Sequence, residues 1–155
     1  MHSLIKHIVK NIGISLFLII SILIATHAHS EQSVEDIIKN RKALFSKNYN
    51  TAKKVQSLSS SGDFDGAKKL MIEMSENYKT LKEMFPENTK EGFKTEVTSL
   101  IWEEKEKFNS LMEKSSNDMV KLMSTIEDED DIRGTLGKLM WSNCKACHSK
   151  YRLPH

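Results

Sequence analysis

The sequence predicts an all-α protein, an antiparallel four-helix bundle, and three observations carry that prediction. Apolar residues recur at spacings near 3.6 over long stretches. No stretch shows the two-residue alternation of a half-buried strand. Turn-forming or acidic runs interrupt the chain three times, leaving helices of about 20–30 residues, roughly 30–45 Å long. Four such helices joined by short connections pack as an antiparallel bundle, a fold that holds cofactors between its helices.

The first 28 residues read as a signal peptide that is not part of the fold. Lys6 and Lys10 give a positive start, and Ile12 to Ala25 is an apolar run of 14 residues. Spanning a bilayer takes about 20 residues, whereas secretory apolar regions run about 7–15. Thr26 and Ala28 suit positions −3 and −1 of a cleavage after Ala28, with Ser30 as the alternative site. An uncleaved anchor is the competing reading. Cleavage after Ala28 leaves one domain, residues 29–155, large enough for a real core. It also removes two lysines and no acids, so 21 basic face 21 acidic residues. A net charge of zero gives no reason to expect nucleic acid as a partner.

The first helix starts at Ser33-x-x-Asp36, a capping box with Asp in place of Glu. Val34, Ile37, Ile38, Leu44, Phe45, Ala52, Val55 and Leu58 form its apolar stripe, and Ser59 to Asp63 ends it. The second helix runs from about Asp63 to Phe85, with Phe64, Ala67, Leu70, Met71, Met74, Tyr78 and Leu81 inward, and Pro86 stops it. Residues 86–95 are a polar crossover. The third helix is expected from about Thr95 to Ile126, with Val97, Ile101, Phe108, Leu111, Met112, Met119, Leu122 and Met123 inward. The acidic run Glu127 to Asp131 then places negative charge at the start of the fourth helix, where the dipole favours it. That helix carries Ile132, Leu136, Leu139 and Met140.

The fourth helix ends in Cys144-Lys145-Ala146-Cys147-His148, the attachment sequence of c-type haem. At i, i+3 and i+4, the three functional side chains project from one helical face. Two thiols add across the porphyrin's vinyl groups, and the imidazole of His148 becomes an axial ligand to iron. Zinc competes weakly, because its ligands come as separated pairs and adjacent Cys147-His148 strains a tetrahedral site. A redox Cys-x-x-Cys needs a βαβ context that is missing here. A Cys144–Cys147 disulfide would close a very small loop, typical of redox sites and not of structural staples. Leader and motif also support each other, since bacterial haem c attachment occurs outside the cytoplasmic membrane. The expected location is therefore the periplasm.

What the iron does depends on its sixth position, where Met or His completes electron carriers. The opposite haem face falls to the first helix, and residues 33–59 contain neither. Lys42, Lys47, Lys53 and Lys54 lie there, but each must lose a proton to bind iron. Seven methionines remain on the other helices, at spacings that suit core packing. An open sixth site follows as an expectation, with a low-spin electron carrier as the alternative and a haem-free interaction bundle as a third. No distal His supplies an acid–base pair, so the chain is not read as an enzyme.

These residues resemble the class II cytochromes c, specifically the cytochrome c prime group. The likeness covers Glu35 to Phe45, then Met84-Phe85-Pro86-Glu87-Asn88-Thr89, Ile101-Trp102 with Phe108, and finally Cys144 to Arg152. The resemblance implies one covalent haem c bound by Cys144 and Cys147, with His148 as the proximal iron ligand. It implies that Phe45 occupies the distal position, where low-spin relatives place a ligating Met. It further implies Arg41 near a haem propionate and Arg152 beside the proximal face. The expected iron is five-coordinate and high-spin, binding NO or CO and exchanging electrons with a partner protein. Homodimerisation through the first two helices is a habit of the family.

Overall fold

Ser33 starts the first helix as the capping box requires: its hydroxyl accepts the amide N–H of Asp36 at 3.1 Å. From there the computed structural model describes residues 32–154. The proposed leader, with both cleavage positions, lies outside the described residues. Helix α1 spans Val34–Ser60. Gly62, at φ +81°, takes the left-handed conformation that ends it. Helix α2 spans Phe64–Glu83 and is capped by Asp63, whose carboxylate accepts the N–H of Gly66 at 2.9 Å. The crossover then passes through a turn at Gly92, Phe93 and Lys94, all with positive φ.

Two expected helices differ in detail. The third begins later than Thr95 and is split into α3, Leu100–Glu103, and α4, Lys105–Thr125, at Glu104 (φ −120°, ψ 41°). Ile101 and Phe108 are seven residues apart and both buried, so apolar spacing runs straight through the break. Residues 95–99 are instead tied to the C-terminus: Thr98 N–H donates to the carbonyl of Tyr151 at 3.0 Å, and Leu153 N–H to that of Glu96 at 2.8 Å. The fourth helix is likewise composite. Helix α5, Ile132–Leu136, is capped by Asp131. It continues as a π turn over Gly137–Trp141 and then as α6, Ser142–Tyr151. Such turns are single-residue phase shifts that gather at functional sites. This one sits directly before the Cys-x-x-Cys-His.

The bundle is the expected one, with α2 packed most extensively on α4 and α1. Its core is methionine-rich: Met71, Met74, Met112, Met119 and Met140 are all fully buried. Polar pins set helix register inside it. Ser75 and Ser116 share a 2.8 Å hydrogen bond between α2 and α4. Asn77 donates to Asn48 between α2 and α1 at 2.8 Å. Asn143 donates to Asp118 at 2.8 Å, fastening α6 to α4 one residue before the first cysteine.

Candidate functional site

One end of the bundle encloses a cavity of about 610 Å³ between α1, the crossover and α6. That is the range of small-molecule and cofactor pockets, about 300–1,000 Å³. Five of the six residues expected to serve the site line it: Arg41, Phe45, Cys147, His148 and Arg152. Cys144 does not. Its thiol lies one turn away, half-buried beside Tyr78 of α2, and donates to the Met140 carbonyl at 3.8 Å.

No disulfide joins the two cysteines. Burial pushes them up, Cys147 to about 12 with the neighbouring Cys144 adding to the effect. A thiol-exchange centre needs the opposite, a lowered thiolate pKa. The raised values run against a thiol-exchange centre at this pair.

The cavity wall is aromatic. Phe45 meets Phe85 edge-on at 6.3 Å between centroids, Phe85 meets Phe108 at 4.7 Å, and Phe108 meets Tyr151 at 5.3 Å. All four rings line the cavity, forming a continuous bed from α1 to α6 for a flat apolar group. Sequence reasoning counted Val97 and Phe108 among the inward residues of the third helix and ended the second at Phe85, but it gave neither Thr95 nor Glu96 a role at the site. Thr95 and Glu96 fall where the crossover meets the expected start of that helix, and no local pattern marks them as cavity wall.

Arg41 is not the solvated surface residue that its charge alone would indicate. It is 1% exposed, on the same face as Ile38 and Ala52. Nη1 donates to Thr89 Oγ1 (2.8 Å) and the Met84 carbonyl (3.3 Å), and Nη2 to Thr89 O (3.0 Å) and Thr95 Oγ1 (2.6 Å). Its guanidinium lies 4.6 Å over the Phe85 ring. All four acceptors are neutral, and Nε is buried without a partner. Desolvation brings its pKa down to about 10, so it remains a cation at neutral pH. A buried cation on the wall of an apolar cavity fits a carboxylate-bearing ligand such as a haem propionate.

The rim carries a second charged cluster. Glu96 accepts from Arg152 Nη2 at 3.0 Å and pairs with Lys42 at 3.4 Å. Desolvation works upward on Glu96, but the Arg152 and Lys42 hydrogen bonds outweigh it and hold the carboxyl below its usual 4.5. Glu104, bonded to Lys150, is also lowered. Folded values below unfolded ones mean that both contributions are complete above about pH 4.5 and are lost as pH falls through the folded values. Amide exchange at Tyr151–Leu153, corrected for intrinsic rate, should therefore quicken between about pH 5 and 3. Exchange in the core of α4 should not change. A flat profile at the C-terminus would show that the ion pairs do not hold it.

Comparison with known proteins places this architecture. A family model described as Cytochrome C' matches residues 36–152. Cytochrome c' of Rhodopseudomonas palustris is 31% identical over 120 residues, covering 76% of this chain and 82% of that protein. Cytochrome c' of Rhodospirillum rubrum is 34% identical over 74 residues, 47% of this chain and 50% of that one. The solved structure of the Rhodopseudomonas palustris protein superposes with a TM-score of 0.69 at 28% identity, covering 77% of this chain and 97% of its own. The match runs from the first helix to Arg152, across the cavity and the attachment sequence together, and so the chain belongs to the cytochrome c prime family of c-type cytochromes, whose cofactor is a covalent haem c.

Proposed function

We propose that this cytochrome leaves one haem face open, binds NO or CO there, exchanges single electrons, and works in the periplasm after removal of residues 1–28. In this reading Cys144 and Cys147 form the thioethers and His148 is the axial ligand. Haem iron, when bound, supplies a small-ligand site and a one-electron centre. The protein's own residues orient it, exclude water and limit access. Arg41, on the cavity wall, would lie near one propionate, and Arg152 with Lys42 gives the rim positive charge.

The observation that carries the reading is the composition of the cavity wall. Among the described residues His148 is the only histidine or methionine lining it, and Phe45 stands on the α1 side. The methionines among the described residues belong to the core, fully buried or packed against the core cluster. Lys42 does line the cavity, but its ammonium donates to the Lys94 carbonyl at 2.9 Å and pairs with Glu96. Both contacts engage the ammonium, which has no lone pair to give to iron. A distal phenylalanine offers no hydrogen bond, so dioxygen, whose retention depends on a distal donor, is disfavoured relative to CO and NO.

The visible spectrum tests this. The ferrous protein should show broad high-spin bands and shift on adding CO and NO. Sharp low-spin bands that ignore CO would overturn the open site and favour a simple electron carrier. Cys144→Ser with Cys147→Ser should remove the covalent haem mass altogether. Retention of that mass would overturn the attachment itself.

A further inference from the structure

We propose that Phe85 is the stop against which Phe45 closes the distal side, and so helps determine how fast a diatomic ligand reaches the iron. The inference rests on the distal placement of Phe45 given above. It starts from a contrast between two touching rings. Phe45 is only partly buried, stands on the cavity wall, and meets Phe85 edge-on at 6.3 Å and 60°. Phe85 is 2% exposed and held from several sides. Its ring meets Phe108 at 4.7 Å and Trp102 at 6.1 Å, with the Arg41 guanidinium at 4.6 Å.

The backbone of Phe85 is held too. Its carbonyl accepts the Trp102 indole N–H at 3.1 Å and the Lys105 ammonium at 3.0 Å. Arg41 also grips the flanking Met84 carbonyl. In a close-packed interior, a ring fixed on several sides cannot yield to its neighbour. Displacement of Phe45 towards the crossover is therefore blocked, and the remaining directions lie along the cavity. Phe85 acts by limiting the movement of Phe45, which makes it a positioning residue, and Arg41, Trp102 and Lys105 hold it in place.

Phe85→Leu shortens the stop while keeping it apolar. CO association to the ferrous holoprotein should become roughly tenfold faster, a barrier lowered by about 1.4 kcal/mol. The ferric high-spin spectrum should be unchanged. A crystal structure of the variant should show the Phe45 ring displaced or in two conformers. Leu122→Ala is the control for lost packing: Leu122 is fully buried and does not line the cavity, so this variant should melt earlier without changing the CO rate. Phe45→Leu should speed CO on its own, and the double variant should gain less than the product of the two singles. An unchanged rate in Phe85→Leu, with Phe45→Leu accelerated, would overturn the stop and leave the distal reading standing. Unchanged rates in both would overturn the distal reading and the stop with it.

Discussion

Arg41→Ala should destabilise the holoprotein by about 3 kcal/mol, lowering its thermal midpoint by roughly 10 °C. The guanidinium makes four hydrogen bonds that join α1 to the crossover, and their partners are 43 to 54 residues away in sequence. Bonds to a charged group contribute about 1.5–3 kcal/mol each, so simple addition would give a larger figure. Two effects reduce it. The Thr89 hydroxyl also donates to the Pro86 carbonyl at 2.8 Å, so part of the turn survives. Burial of the cation is itself costly, as its lowered pKa shows, and that cost disappears with the side chain.

Arg41→Lys separates charge from shape. Lysine keeps the cation but cannot span Thr89 and Thr95 with a planar fork or stack on Phe85. It should therefore recover less than half of the loss. Thermal unfolding followed at 222 nm measures both variants. A midpoint for Arg41→Ala within about 0.5 kcal/mol of the parent, the range of ordinary surface changes, would show that the clasp carries little.

Arg41 also marks the limit of what the sequence could disclose. The apolar stripe of α1 is legible because burial of Ile38, Ala52 and Val55 follows directly from their spacing. The same face contains Arg41, Asn48, Thr51 and Ser59, all buried. Periodicity counts apolar side chains, so these polar ones drop out of the stripe. Distant partners make the burial of two of them tolerable, Thr89 and Thr95 for Arg41 and Asn77 for Asn48. No local pattern records such pairings.

The helix breaks were hidden for a related reason. Glu104 interrupts the third helix without a glycine or proline, and its carboxylate accepts from the Tyr151 hydroxyl at 3.4 Å. Tertiary contacts oppose local propensity there. The π turn before Cys144 leaves Leu136, Leu139 and Met140 buried as an unbroken helix would, so the apolar pattern barely registers it. By contrast, Cys144, Cys147 and His148 were legible at once, because their chemistry is local and their spacing is short. Their different surroundings were not: only Cys147 and His148 reach the cavity wall, while Cys144 turns towards Tyr78.

On the proposed open-site reading, Phe45→Met should yield a six-coordinate cytochrome. The side chain stands on the cavity wall, on the α1 side. Methionine at this position would bring a thioether, the usual sixth ligand of electron carriers, to the open face. Packing does not stand in the way. Phe45 is partly buried and its ring contact with Phe85 is edge-on at 6.3 Å. A swap between apolar residues of similar bulk should therefore cost less than about 1.5 kcal/mol. The flexible methionine stem can fill the space the ring leaves. The ferrous spectrum should sharpen into low-spin α and β bands, and CO at a concentration that saturates the parent should leave it unshifted. Phe45→Leu provides the comparison, since leucine opens the same space without a ligand and should keep the high-spin spectrum. If Phe45→Met also remains high-spin and CO-reactive, Phe45 does not face the iron, and the distal wall must be sought elsewhere among the lining residues. If both variants turn low-spin, the ring has been excluding a native ligand, and Lys42 would be the first to replace because it lines the same cavity.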